Sequence, residues 1–328
     1  MRYLARHGWP AVFVALVMLV TIAAQESLGQ TDVSNDAETS DSAQPVGTRR
    51  RYRPREVVRE SIFGSGEDEP FTPLLLRTLF TDGWKDPWIA PPSDADMPVR
   101  QGWVNAPDGL FFRNLVWTYQ NTTDIPGDRS ANLGLFQFQS PLSRRLWISL
   151  DVPYVTSLSG TPSAVSFGDF NVSTRVMLRE TRRLSIIAGL GVRTPTGQLS
   201  TLTGFARLNP NLQFWAHLAG RWSMRGGAGV DVALNNFDVF PTNFLTNIAI
   251  GETITGHDVP IFGDFQYYLV ANLRSNLSSL SVPTFFSLTP GFRTHLGREY
   301  YLAGGMEFPL TQPHPFGNRL TFFFVKGF

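Results

Sequence analysis

The sequence predicts an all-β fold, a single closed antiparallel transmembrane barrel of about twelve strands. Three observations predict it. From Gly109 to the end, short segments alternate apolar and polar residues with no sustained helical period. Most are about as long as the 9 to 11 residues a tilted strand needs to cross a hydrocarbon core. The connections also alternate, tight at one rim and long, polar or Gly/Pro-rich at the other, as in barrels of the bacterial outer membrane.

Composition agrees. The 328 residues are 42% hydrophobic and 13% aromatic, with 29 Gly and 23 Pro, which suits a β protein with many turns. The 28 basic and 27 acidic residues nearly cancel, so bulk electrostatics give no reason to expect a nucleic-acid partner. With 0 Cys, a disulfide scaffold, a thiolate metal site and a Cys nucleophile are excluded together.

In chain order, Arg2 and Arg6 precede the apolar run "AVFVALVMLVTIAA", which ends in small residues. At about 14 residues it is shorter than the ~20 of a spanning helix, and it predicts a secretory signal peptide over residues 1–24. Residues 25–70 are rich in Ser, Asp, Thr and Gln and carry five Arg in "RRRYRPR"; they read as a disordered linker. Residues 71–103 begin with "FTPLLLRTLF", too short for an independent helix, and continue as a Pro-rich tether. Such a segment can dock into something larger, as a plug for example. The barrel is expected over 104–328.

Strands are expected to start near Leu110, Ala131, Arg144, Phe167, Arg182, Asn209, Arg221, Asn243, Ile261, Val282, Arg298 and Asn318. Tight turns follow even-numbered strands, at "SPLSRR", "RETRR", "AGRW" and "HLGRE". Longer connections follow odd-numbered ones, as in "NTTDIPGDRSA" and "PTGQLSTLTGFAR". One segment, "ETITGHDVP", belongs to the tight rim and is too long for it. Within "RRLWISLDVPY", Leu146, Ile148, Leu150 and Val152 share one face, while Trp147, Ser149 and Asp151 share the other. In the last strand, Leu320, Phe322, Phe324 and Phe328 share an outward face. That pattern resembles the C-terminal signal read by the assembly machinery of outer-membrane barrels; Lys326 departs from it. Trp117, Tyr119, Tyr154, Phe167, Trp222, Tyr300, Tyr301 and Phe316 are expected at the rims, where amphipathic rings favour the headgroup level.

"FGDFNVSTRVMLRETRRLSIIAGLGVRTPTG" has a Gly-Asp opening a strand, a basic turn and a Gly-rich strand ending in Pro-Thr-Gly. "PLSRRLWISLDVPYV" precedes it, and "GDFQYYLVANLR" repeats the Gly-Asp opening. These segments resemble the outer-membrane barrel family named for the MetA pathway of phenol degradation. The resemblance implies passive uptake of small aromatic or hydrophobic molecules, and none of its motifs is catalytic.

Charged side chains on the lipid face cost about 2 to 4 kcal/mol near mid-bilayer, so strand register directs them inward. The candidate lumen lining is Arg113, Asp151, Asn171, Arg175, Arg193, His217, Arg225, Asp231, Gln266, Arg274, Arg293 and Glu307. An excess of Arg suits a pore preferring anionic or polarisable solutes; the alternative is a ladder of ion pairs packing a narrow lumen shut. Correspondingly, the function expected is a porin-like channel or, alternatively, a non-conducting anchor or scaffold. No spacing of His217, His257, His295 or His314 sets a base beside a nucleophile, so catalysis, a cofactor and a metal are not expected. The expected partners are outer-membrane lipids, barrel-assembly machinery and a small-molecule solute; oligomeric state is left open.

Overall fold

A computed structural model of the chain describes residues 52–64, 71–90, 97–160, 163–201, 203–235, 241–279 and 282–328. The predicted signal peptide and most of the predicted linker lie outside the described residues.

The strands are β1 (Asn114–Ile125), β2 (Arg129–Pro141), β3 (Leu146–Ser159), β4 (Ala164–Ser166), β5 (Asn171–Glu180), β6 (Leu184–Arg193) and β7 (Arg207–His217). They continue with β8 (Trp222–Ala233), β9 (Asn243–Thr253), β10 (Gly263–Asn276), β11 (Phe285–Gly297), β12 (Tyr300–Pro309) and β13 (Asn318–Gly327). The short β4 pairs antiparallel with the end of β3, from Thr156 opposite Ser166 to Leu158 opposite Ala164. The other 12 form a closed antiparallel barrel. Closure is made by β13 on β1, in register from Asn114 opposite Gly327 to Thr123 opposite Asn318, so the last strand has no free edge.

Alternation sorts the side chains. Leu150, Val172, Leu190, Leu212, Ile250 and Leu269 stand exposed on the outer wall, whereas Trp147, Trp215, Gln266, Tyr268 and Arg293 are buried inside it. An apolar outer face of this kind suits hydrocarbon, and the paired ladder leaves no strand edge unsatisfied there. Trp117, Tyr119, Tyr154, Phe167 and Tyr300 are outward and exposed, but Tyr301 and Phe316 are buried. Both depart from the rim expectation: Tyr301 is one residue out of phase with Tyr300, and the β12–β13 loop carries Phe316 inward to meet Phe285 edge-on. Lys326 keeps the outward face by lying 4.9 Å from the Tyr300 ring while its ammonium donates to the Arg298 carbonyl. Its stem covers apolar surface and its charge reaches the rim.

Three expectations are corrected. The connection between β1 and β2 is a tight hairpin at residues 126–128, because β1 runs on to Ile125 and Gly127 and Asp128 take left-handed φ of 88° and 54°. Part of the linker is helical: α1 (Pro54–Phe63) starts with Pro in its first turn, and Glu56 caps it by accepting from the Arg53 amide at 2.8 Å. The barrel wall begins at Asn114, so Leu110 and Phe111 belong to the segment before it.

Candidate functional site

The lumen has two halves. In the half nearer the short turns it is filled by residues 97–113, which thread inward as a bent segment rather than a strand. "QGWVNAPDG" has no alternation that would seat it in a wall, yet Trp103, Val104, Leu110 and Phe111 need burial, and the barrel interior supplies it. Trp103 is 1% exposed. It stacks on Tyr268 at 4.8 Å, lies 3.8 Å under the Arg225 guanidinium and donates its indole N–H to Gln266 at 2.8 Å. Gly251 makes room for that ring, since a Cβ there would sit 2.7 Å from it. Likewise a Cβ on Gly109 would meet the Trp215 side chain at 2.4 Å.

Polar groups of the wall hold the backbone of this plug. Arg225 donates to the Gln101 carbonyl at 2.7 Å, Gln266 to the Val99 carbonyl at 3.2 Å, and Tyr268 Oη accepts from the Val104 amide at 2.9 Å. Asn105 donates to Thr289 at 2.9 Å and to Glu307 at 3.1 Å, and Arg293 donates to the Gln101 side chain. Backbone carbonyls that would otherwise be orphaned inside the barrel are thus paired.

At the short-turn rim the chain before the plug is clamped from below. Leu74 forms an antiparallel bridge with Glu180 and buries its side chain with Phe111, Trp147, Met177 and Ile187. Arg144 pairs with Glu180 at 3.1 Å and also holds Thr72. Arg145 donates to the carbonyls of Met177, Leu75 and Thr78 at 2.7, 3.1 and 3.0 Å. Burial pushes its guanidinium below the ordinary value, opposed chiefly by Asp82. The basic turn "SRR" is therefore a clasp, and the apolar residues 71–80 sit at the rim rather than in the lumen.

The other half of the lumen is open. A cavity of about 560 Å³ rests on the plug, lined by Gln101, Trp103, Asn105, Asp108 and the wall. A second, of about 830 Å³, lies toward the long loops, and Leu245, Arg274, Pro315, Phe316 and Arg319 line both. These volumes are in the range that accommodates small organic molecules.

Most candidate lining residues lie in these two regions. Arg175, Arg293 and Glu307 line the inner cavity, Asp151, Asn171, Arg193 and Asp231 the outer one, and Arg274 both. Arg225 and Gln266 are buried against the plug. Two residues lie elsewhere. His217 closes β7 and bonds the Gly220 carbonyl of its own turn at 2.7 Å, lining neither cavity. Arg113 precedes β1 and grips the N-terminal helix, donating to the Ile62 and Gly64 carbonyls over the Trp88 ring. Arg207, Arg319 and Asp108 were not among the candidates; the first two sit at strand ends, where inward phase is hard to assign, and Asp108 is on the plug.

The charges are largely matched. Arg207 pairs with Asp231 at 2.7 Å, Arg319 with Glu307 at 3.3 Å and Arg175 with Asp108 at 3.6 Å. Asp151 accepts from Gln137 and Asn171. Asp169, of the first Gly-Asp pair, accepts from the amides of Gly197, Gly204 and Phe205 and so organises the β6–β7 loop at the cavity mouth. Among the described arginines that line the outer cavity, Arg193 and Arg274 have no carboxylate within 4.0 Å, Arg193 facing the Phe205 ring at 5.5 Å.

No family model and no curated protein matches the chain. Solved structures do. The COG4313 outer membrane channel from Pseudomonas putida F1 is 12% identical, with 73% of this chain and 100% of that one covered at a TM-score of 0.51. The fold is that of an outer-membrane β-barrel. The KdgM porin matches at 9% identity over 66% of this chain and 99% of its own, TM-score 0.47. Outer membrane phospholipase A from Escherichia coli matches at 10% identity over 66% and 97%, TM-score 0.36. At such identities the likeness is one of fold, and function has to be argued from the lumen.

Proposed function

We propose that this protein is an outer-membrane channel for passive uptake of small molecules, closed at rest by residues 97–113. The observation that carries this reading is the division of the lumen: a solute-sized chamber toward the long loops ends on a plug that is a separate segment of chain, not a part of the wall. A barrel meant only as an anchor has no need of a chamber. Its walls mix Arg with Trp103, Phe205, Tyr301 and Phe316, a lining suited to anionic, aromatic or polarisable solutes. The resemblance to the MetA-pathway family supports the aromatic or hydrophobic end of that range. Export through a cleaved signal peptide over residues 1–24, and assembly through the outward face of Leu320, Phe322, Phe324 and Phe328, belong to the same proposal.

A second reading, the non-conducting scaffold, is favoured by the number of bonds the wall makes to the plug. Conductance in planar bilayers separates the two. The full chain should conduct little, and a chain lacking residues 71–112 should form open pores. If both are silent and neither admits small aromatic solutes to liposomes, the scaffold reading stands.

A further inference from the structure

The one overlong connection at the short-turn rim, residues 254–262, has an unusual geometry. It folds back over the β10–β11 pair and lays the His257 ring on the His295 ring, 4.2 Å apart at an interplanar angle of 13°. Asp264, of the second Gly-Asp pair, approaches His257 with Oδ2 2.7 Å from Nδ1. His295 lies opposite Gly263 in the ladder. One donor atom from each of His257, Asp264 and His295 falls within 4.8 Å of the others.

His295 is the telling member. It is only 8% exposed, and its Nε2 is buried without any hydrogen-bond partner. A buried imidazole nitrogen left bare is available to a metal ion. A buried, unsatisfied ring nitrogen otherwise costs free energy with nothing in return. The backbone is also strained here: Ile261 has φ of 68° and Asp264 of 47°, the former an outlier for a β-branched residue. Such strain collects where a site is being shaped.

We propose that His257, Asp264 and His295 bind a divalent transition-metal cation of the zinc class on the short-turn rim. Two neutral imidazoles and one carboxylate make a borderline N/O donor set, which suits such a cation and leaves a fourth position for water. Tetrahedral ligands lie about 3.4 Å apart around such an ion, so the donors must draw together slightly. His257, 64% exposed and carried by a loop, is the side chain that can turn to do so. The ion would tie the connection to β10 and β11 beside the point where the plug is held, since Gln266 and Arg293 belong to the same two strands.

The test uses the full exported chain, purified in detergent without a histidine tag. Co²⁺ is titrated in and followed by its visible absorption, then displaced with Zn²⁺. One Co²⁺ per chain, with a band that Zn²⁺ abolishes, is expected. H257A should weaken binding at least tenfold with heat-modifiable mobility unchanged, because His257 is exposed; D264N should weaken it comparably. H217N should bind as the parent does. No saturable binding by the parent overturns the proposal. Binding that survives H257A and D264N, or that is lost in H217N, also overturns it, by placing the ion elsewhere.

Discussion

The two halves of the lumen are built by the same strands and behave as different materials. Near the short turns, inward residues such as Trp147, Arg225 and Gln266 are buried and bonded to the plug, and Trp215 is buried under the Arg100 guanidinium. Toward the long loops, inward residues of the same staves, among them Arg193, Asn171 and Asp231, line an open chamber. A β-barrel fixes only which side chains point in; whether they pack or stay wet depends on what chain enters. Polarity does not distinguish the halves, because the closed one contains Arg225 and Gln266. The difference is that there Arg225, Gln266 and Tyr268 bond to the backbone of the plug and Trp147 donates to the Phe112 carbonyl.

The harshest way to break this contrast is to remove the plug. Without residues 71–112 the closed half should become as open as the other, and single-channel conductance should rise by at least about tenfold. Retained heat-modifiable mobility would show that the wall stands alone. If conductance does not change, some other element seals the barrel.

A milder break is Trp103→Ala. The ring is stacked on Tyr268, covered by Arg225 and bonded to Gln266, and losing such a buried side chain costs about 3 to 5 kcal/mol. That cost falls on plug docking rather than on the wall. The expected record is intermittent opening, with the barrel's unfolding temperature near that of the parent. Gly251→Leu should give the same phenotype by occupying the seat of the indole. A large fall in unfolding temperature for Trp103→Ala would instead make the plug part of the barrel's core.

The wall was legible in the sequence and the plug only in outline: a docking segment is expected within residues 71–103, led by the apolar run 71–80, whereas residues 97–113 fill the lumen. Period-two alternation and turn chemistry locate all the staves, because every strand of a barrel faces the same two environments. Residues 97–113 carry no period; their conformation is set by the cavity they enter, which exists only after the strands close. "SRR" at residues 143–145 reads only as part of a tight turn, because its partners, Thr72, Leu75 and Thr78, lie far back in the chain. His217 was read as inward from its phase alone, but at the end of β7 the turn already governs where the ring goes. The Gly-Asp pairs looked like one repeated motif, yet Asp169 binds a loop at the long-loop rim and Asp264 meets His257 at the other.

A smaller effect is expected at the mouth of the chamber. Asp169→Asn weakens the acceptor for three amides of the β6–β7 loop. Charge-assisted bonds of this kind contribute about 1.5 to 3 kcal/mol each, though a neutral amide oxygen keeps part of that. Protease added from the loop side should cut near Leu199 faster than in the parent, while the turn at residues 181–183 stays uncut. Equal cutting at both sites would mean the whole wall had loosened.

The finest test distinguishes paired from unpaired cations inside the open half. Among the described residues, Arg193 and Arg274 have no carboxylate within 4.0 Å, whereas Arg207 is held by Asp231 at 2.7 Å. Replacing Arg193 and Arg274 together with Gln removes two positive charges whose field reaches solute directly, so anion-over-cation preference in the open, plug-deleted pore should fall about twofold at low salt. Stability should change little, because Asp231 keeps its pairing with Arg207. Arg207→Gln removes one charge but leaves Asp231 facing a low-dielectric wall without its guanidinium, so its signature should be a lower unfolding temperature as well as a selectivity shift. Raising the salt should erase the selectivity change in the double variant and leave the stability loss in Arg207→Gln largely in place, since screening acts on exposed charges far more than on buried pairs. If the double variant instead destabilises the barrel, Arg193 and Arg274 are structural, and the open half is held together by its charges as firmly as the closed half is by its plug.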